Sequence, residues 1–267
     1  MKLHAALALL PLCLVSGPAQ KQPQDTGKKP DGAVAALQKA LAEHEVWLEP
    51  ELGLCAIPAR VLVRSDSLEY VLVNRSGNAH ESLFVTEALP SRVNVALLAL
   101  GLQPGKNAVW TATEPPPTRE QLLAGAQAYS VAPPSGDGLL MYVSWEEDGE
   151  LYFFRLDDVI RNLQSGRSMR RHSWVYLGSR NVPSREDPKQ ELFVADAEGN
   201  LVNLCFFPAG NTLLTGALPE CDLQTIWVGN ASLLPPTGEP VLFLFSRRPL
   251  ETCPAELRAR VPRIDGH

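Results

Sequence analysis

Three consecutive side chains, His80, Glu81 and Ser82, supply a base, an acid and a hydroxyl group. In an extended segment neighbouring side chains point to opposite faces, so His80 and Ser82 share a face that Glu81 does not. The triplet alone therefore does not form a serine-histidine-acid relay. Two interpretations stay open. The residues favour a histidine at a strand end bonded to the backbone, with Glu81 paired to an arginine, and the alternative is a ligand-binding or catalytic site.

Asp196 and Asn200, with Gly199 between them, form a second concentration of polar residues. Aspartate and asparagine bond nearby backbone groups and tolerate turn geometry, so the pattern favours a turn over a site. Both residues remain ligand-binding candidates. A metal site would need partners for His80 from elsewhere, such as His172 and Asp196, and the sequence does not show that they converge. The catalytic residues, the metal and any cofactor stay unassigned.

Charge excludes one class of partner. The chain carries 24 Lys and Arg against 30 Asp and Glu, a formal net charge of −6. Nucleic-acid binding requires a basic surface that releases counterions, and the one dense basic cluster joins Arg167, Arg170 and Arg171 to His172. Such runs usually face solvent, so we expect a solvated loop here and not an anion site.

The sequence around the triplet predicts one helix and two strands. Val93, Ala96, Leu97 and Leu100 recur at helical spacing between Pro90 and Gly101, which suit the first turn and the end of a helix. The other face is nearly as apolar, so the pattern predicts a central buried helix between layers. Residues 82–86 read as a strand leading into it, and residues 68–73 as a strand buried on both faces.

Turn chemistry further along the chain predicts two hairpins. The dipeptide Asp148-Gly149 separates residues 139–145 from 151–156, and residues 198–200 separate 191–195 from 201–207. Thr118, with Gln121 three residues later, predicts a capped helix. The sequence thus predicts an α+β class: a single domain with a mixed, mostly antiparallel sheet, hairpins and the central buried helix.

The ends of the chain predict export. Residues 1–19 combine a basic start, an apolar core too short to span a bilayer and a small-residue cleavage site, as in a secretory signal peptide. Residues 20–32 are polar and rich in Pro and Gly, as in a disordered linker. Residues 33–44 predict a lead-in helix, and residues 251–267 a polar tail. We expect a periplasmic or extracellular protein with no transmembrane segment after cleavage.

Cysteine usage agrees with export. Cleavage would leave four cysteines, an even number that permits two disulfides in an oxidising compartment. The pairing expected from proximity in sequence joins Cys205 to Cys221, which leaves Cys55 and Cys253 to tie the two ends. None forms a C-x-x-C pair, so the spacing supports neither a thioredoxin-like redox centre nor a zinc knuckle.

Several ordered motifs resemble one family. The run LEYVLVNRSGNAHESLF, followed by PSRVNVALLALGLQPG and later by WVYLGS and VADAEGNLVNL, is similar to the YdjY-domain family of bacterial extracytoplasmic proteins. The resemblance covers residues 46–249 and implies a YdjY-like domain over residues 33–250. It implies no activity, because the family has no established one.

Two classes of function follow. The first is an exported binding or accessory module of unknown ligand, favoured by the secretion signal, the linker and the lack of an assembled catalytic motif. The alternative is a metal-assisted hydrolase or related enzyme centred on His80 and Glu81. The sequence leaves open whether the chain is an enzyme, and it does not identify a protein or small-molecule partner.

Overall fold

The computed structural model describes residues 32–265, so the predicted signal peptide and nearly all of the predicted linker lie outside the described residues. The helices are α1 (Gly32–Ala42), α2 (Pro90–Ala99), α3 (Arg119–Leu123) and α4 (Val194–Glu198). Short 3-10 helices cover Ala79–Glu81, Leu156–Val159, Pro219–Asp222 and Ala255–Arg260. The helix expected over residues 33–44 is α1, and it buries only Leu41.

Strands dominate the rest of the described chain. They are β1 (Trp47–Glu49), β2 (Leu54–Val61), β3 (Tyr70–Asn74), β4 (Ser82–Thr86), β5 (Val109–Ala112), β6 (Tyr129–Ala132), β7 (Gly138–Glu147), β8 (Glu150–Arg155), β9 (Ile160–Asn162), β10 (Arg167–Ser168), β11 (Trp174–Tyr176), β12 (Asn181–Pro183), β13 (Glu191–Phe193), β14 (Asn200–Asn203), β15 (Leu214–Thr215), β16 (Trp227–Gly229), β17 (Pro240–Ser246) and β18 (Arg263–Ile264).

Eight strands form a sheet that closes on itself, in the order β2-β17-β7-β11-β15-β14-β3-β4, with β4 pairing back to β2. The β3–β4 and β14–β15 pairings are parallel, and the other neighbours in the ring are antiparallel. Small sheets lie outside the ring: β10-β9-β16, β12-β13 and β5-β6. Closure leaves the eight strands of the ring without a free sheet edge, apart from their uneven ends.

The predicted α+β class is wrong. The structure is mostly β, with 34% strand and 21% helix, and it is built on the closed sheet. Local patterning identifies individual strands but carries no signal for ring closure, which depends on pairings between residues far apart in sequence. The strand expected to be buried on both faces is β3, in which every residue is buried.

The predicted central buried helix is also wrong. Helix α2 begins with Pro90 in its first turn and is followed by Gly101 at φ +80°, as the sequence predicts. It buries Pro90, Val93, Ala96 and Leu97, while Leu98 on the outer side is 47% exposed. The closed sheet fills its interior with its own side chains, so the helix packs with one face only.

Two apolar clusters lie on opposite sides of the sheet. Inside the ring, alternate residues of β2 such as Ile57 pack with Phe84 and Phe243, whose rings meet edge to face at 5.7 Å. Outside it, Leu242 and Tyr142 pack against the C-terminal segment through the buried Leu257. Residues 251–265 are therefore part of the packed structure, although the sequence led us to expect a polar tail.

One predicted hairpin is confirmed and the other is wrong. β7 and β8 flank Asp148 and Gly149, whose φ angles of +51° and +82° give the expected tight turn. In the second case, α4 occupies the expected first strand after residue 193. The strand before α4, β13, pairs with β12, and the strand after it, β14, pairs with β3 and β15. β13 and β14 do not pair with each other, so they form no hairpin. The predicted capping box of Thr118 and Gln121 is present at α3.

The predicted disulfides are not present. All four described cysteines are free and buried. Cys55 belongs to the inner cluster and Cys253 to the outer one, so the sheet separates the two. Burial raises the pKa of the Cys55 and Cys221 thiols to about 12, which keeps both protonated and poorly nucleophilic at neutral pH. The proximity of Cys205 and Cys221 in sequence does not make them a bonded pair.

Candidate functional site

The predicted triplet does not converge on one point. His80 and Glu81 lie in the 3-10 helix before β4, and the His80 side chain is 76% exposed, with its Nε2 3.8 Å from a Glu81 carboxylate oxygen. Ser82 is fully buried and its hydroxyl donates to the carbonyl of Asn78. The exposed histidine and the buried serine are thus separated, and within the described chain Glu81 forms no salt bridge with an arginine.

The structure brings a second acid to Glu81 that the sequence did not point to. In the parallel β3–β4 pairing Tyr70 lies opposite Ser82, so Glu69 lies beside Glu81, and the Glu69 backbone N–H donates to the Glu81 carbonyl at 3.0 Å. Burial, followed by the charge of Glu81, raises the pKa of Glu69, while His80 opposes the shift. Glu69 was missed because a parallel pairing joined through residues 75–81 leaves no local pattern.

Asp196 and Asn200 have separate structural positions. The Asp196 carboxylate accepts the Ser91 backbone N–H at 2.7 Å, so it caps the first turn of α2 from a distant segment. Asn200 is 7% exposed and begins β14, where it pairs with Val73. Its side-chain oxygen has no hydrogen-bond partner within residues 32–265. The two residues therefore do not join the His80 triplet in one cluster.

The side chains that a metal site at His80 would need are not brought together. In the described part of the chain, no group of three His, Cys, Asp or Glu side chains could hold a metal ion. His172 instead contacts Asp157 through Nδ1, and Asp196 is engaged at the start of α2. The geometry therefore gives no support to a metal-assisted reaction at His80 and Glu81.

The basic cluster is exposed, as the sequence predicts, and ion pairs hold two of its arginines in place. Arg170 forms two hydrogen bonds to Glu220, at 2.9 and 2.7 Å. Arg171 forms two to Asp158, at 3.1 and 2.8 Å. Paired bonds of this kind fix the plane of a guanidinium group. The hydrogen bond from Arg170 lowers the pKa of Glu220, so that pair is ionised at neutral pH.

Next to these arginines in sequence, the His172 side chain is bonded to the buried carboxylate of Asp157. Asp157 is fully buried and contacts His172 Nδ1 at 2.7 Å and Arg155 Nε at 2.8 Å. Burial would raise the pKa of Asp157, but the hydrogen bonds from His172 and Arg155 outweigh it and lower the pKa. The His172 ring lies against Trp174, with 4.7 Å between centroids, and its Nε2 has no partner in the described structure.

Arg170 and Glu220 also line a cavity of about 200 Å³, here called the arginine pocket. Its lining residues come from three segments around the β10-β9-β16 sheet and are Asn162, Ser165, Arg167, Ser168, Met169, Arg170, Glu220 and Trp227. Arg167 lies on β10 because Ser165 and Gly166 turn the chain back onto β9, with Gly166 at φ +67°. The pocket therefore owes its shape to a short hairpin.

The arginine pocket carries unused hydrogen-bond donors. The Arg167 side chain has no hydrogen bond or ion pair to any described residue, and it is exposed. Trp227 is 1% exposed, and its Nε1 has no partner in the part of the chain that the structure describes. Two arginines against the single carboxylate of Glu220 leave an excess of positive charge. A guanidinium with free donors suits a carboxylate, phosphate or sulfate group.

Sequence reasoning noted the arginines but missed their partners. Glu220 lies 50 residues from Arg170 and Asp158 lies 13 residues from Arg171, so neither acid forms a local pattern with the arginines. The one available signal was the density of arginine in an acidic chain. Because acidic partners were not visible nearby, that density favoured a solvated loop.

Comparisons with known proteins identify one match. A family model described as the YdjY domain matches residues 55–246, which is more than half of the chain and covers the closed sheet except for Leu54 at the start of β2. No curated protein and no solved structure matches the chain. In the described residues no helix has both the length and the apolar character needed to cross a membrane.

Proposed function

We propose, on the premise that this chain belongs to the YdjY-domain family, that it is an exported binding module which takes a small anionic group in the arginine pocket. The observation that carries the proposal is the free guanidinium of Arg167 beside Arg170, in a concave site whose buried Trp227 also has an unused donor. Free donors of this kind pair with anionic oxygens.

The size and charge of the pocket favour a small group over a large surface. A volume of about 200 Å³ accommodates a carboxylate, phosphate or sulfate with a few attached atoms. Glu220 already occupies Arg170 with two hydrogen bonds, as an external carboxylate would. Arg167 is therefore the group that a ligand meets first.

Titration calorimetry at low ionic strength, with inorganic phosphate, sulfate and acetate, tests the proposal. We expect at least one of these anions to bind the full chain, and Arg167→Ala to weaken binding by about tenfold or more, as expected for a lost charge-assisted bond. Arg119→Ala is the matched control, because Arg119 is exposed on α3 and does not line the pocket. Added salt should weaken binding. Equal affinity of the Arg167→Ala variant and the parent, or no binding of any anion, would refute the proposal.

The export part of the proposal rests on residues 1–19 and has its own test. Sequencing of the mature protein from an expressing cell should find a new amino terminus near Gln20. Retention of Met1 on a protein that stays inside the cell would contradict export and leave the pocket proposal untouched.

A further inference from the structure

A second cavity adjoins the arginine pocket and shares Glu220 with it. It measures about 530 Å³ and lies between strand β6 and the 3-10 helix Pro219–Asp222. Its lining residues are Thr113, Gln127, Tyr129, Ser130, Val131, Pro219, Glu220, Asp222 and Leu223. We call it the β6 cleft. Since Glu220 borders both cavities, they lie side by side.

Backbone groups of β6 form part of the cleft wall. Side chains of successive strand residues point to opposite faces, yet Tyr129, Ser130 and Val131 all line the cleft. Contact with three residues in a row therefore includes the strand's backbone. Within residues 32–265, β6 pairs with β5 only, so its other edge is unpaired.

The hydrogen-bond pattern of the β5–β6 hairpin identifies the unpaired groups. Thr113 donates to the Ala128 carbonyl at 2.9 Å, so these two opposite residues form a hydrogen-bonded pair. Such pairs alternate along an antiparallel ladder, which makes Ser130 the next bonded residue on β6. The N–H and C=O groups of Tyr129 and Val131 therefore point away from β5.

The cleft also offers apolar surface with polar edges. Tyr129 is 57% exposed and Leu223 is 42% exposed, and Thr113 and Gln127 lie at the rim. A purely apolar ligand would cover the outward backbone groups of β6 without bonding them, which is unfavourable. An extended peptide can bond these groups and place alternate side chains on Tyr129 and Leu223.

We infer that the β6 cleft binds the extended carboxyl-terminal segment of a peptide or protein, as a strand added beside β6, with the terminal carboxylate in the arginine pocket. The inference rests on the proposed function, because the free guanidinium of Arg167 supplies the charge that complements a carboxylate. It adds the identity of the ligand: a polypeptide end, held by backbone pairing along β6 and by charge at its terminus.

Retention on immobilised peptides tests the inference. The probe is a pool of hexapeptides of randomised sequence attached through their amino ends, in one preparation with free carboxyl ends and in another with amidated ends. We expect the full chain to bind the free-carboxyl pool about tenfold more strongly than the amidated pool, as expected for a lost charge-assisted hydrogen bond. Arg167→Ala should lower retention and anion binding together.

A variant of β6 separates the cleft from the pocket. Val131→Pro removes an N–H that points away from β5, so the hairpin keeps its own hydrogen bonds. Val131→Ala is its control for the lost side chain. We expect Val131→Pro, but not Val131→Ala, to lose peptide retention while phosphate, sulfate or acetate binding stays at the parent level.

The remaining outcomes distinguish the anion-pocket proposal from the peptide inference. If the parent binds a small anion but retains neither pool, the peptide inference is wrong and the anion pocket stands. If both pools bind equally, or if Val131→Pro retains peptide as Val131→Ala does, the inference is also wrong. If the parent binds neither anion nor peptide, both proposals fail.

Discussion

At the scale of single residues, the structure gives the predicted site residues other partners than the sequence suggested. The exposed His80 and the buried Ser82 do not contact each other, while His172, which the sequence offers as a possible metal partner and as part of the basic cluster, is held by the buried Asp157. Burial and partner distinguish the two histidines. Neither property is visible in the local sequence around them.

The two histidines should therefore differ in their effect on stability. His172→Ala removes a partner from a fully buried carboxylate and should lower the free energy of unfolding by about 1–3 kcal/mol. His80→Ala changes an exposed side chain and should stay within about 0.5 kcal/mol of the parent. Urea unfolding measures both. A His80→Ala variant as unstable as His172→Ala would show that His80 has a structural role that its exposure does not reveal.

Because Glu69 and Glu81 are adjacent acids, we expect that removing the charge of Glu69 will stabilise the fold, and that the effect will depend on pH. The pKa of Glu69 is raised in the folded state above its ordinary value of 4.5, so the ionised carboxyl costs stability as the pH rises through that value. Glu69→Gln removes one of two adjacent negative charges and adds an amide donor for Glu81. Its melting temperature should exceed that of the parent at pH 7.5, and the difference should shrink below pH of about 4.5.

The exposed Glu251 provides the control for this effect. Glu251→Gln should melt like the parent at both pH values. A Glu69→Gln variant that is less stable than the parent at pH 7.5 would mean that the ionised pair is favourable in the folded protein.

At the scale of secondary structure elements, α2 shows how patterning can mislead. Its sequence is apolar nearly all round, which is typical of a buried helix. In the structure one face packs on the closed sheet, and Leu98 on the other is 47% exposed. Its first turn is capped by Asp196 from α4, a contact that sequence spacing does not reveal.

Two neighbouring leucines of α2 give a direct test of this packing. Leu97 is fully buried, so Leu97→Ala should cost roughly 2–5 kcal/mol of unfolding free energy. Leu98→Ala makes the same chemical change at an exposed position and should cost about 0.5 kcal/mol or less. Chemical denaturation of the pair decides the matter. Equal losses would place α2 between two layers, as the sequence alone predicted.

At the scale of the whole molecule, the C-terminal segment completes the fold. Leu257 and Cys253 cover the outer faces of β7 and β17 at Tyr142 and Leu242. Strand β18 pairs with β7 next to this cluster. Without the segment, apolar residues of two central strands would face water.

Removal of residues 251–267 should therefore prevent stable folding, and Leu257→Ala alone should cost roughly 2–5 kcal/mol. Arg258→Ala is the control, because that side chain is exposed on the same 3-10 helix. Circular dichroism melts of the three variants measure the effect. If the truncated chain melts at the parent's temperature, residues 251–267 do not stabilise the fold and are a polar tail, as the sequence suggested.

The sequence by itself determined the local features. Pro90, Gly101, Asp148-Gly149 and the Thr118 capping box each act through neighbouring backbone atoms, and the structure contains all of them. It also determined the family, because ordered motifs along the chain match a YdjY-domain model over residues 55–246. Such features depend on few residues close in sequence, which local patterns can encode.

Only the tertiary structure decided which distant residues meet. Closure of the sheet through the β2–β4 pairing, the position of Glu69 beside Glu81 and the contact of Arg170 with Glu220 join segments whose separation in sequence has no characteristic pattern. These contacts form because burial of the strands in a closed sheet favours one global arrangement over many, and the segments that it brings together follow. The candidate site consists of such contacts. The sequence therefore identifies its arginines, but only the fold shows that they line a pocket.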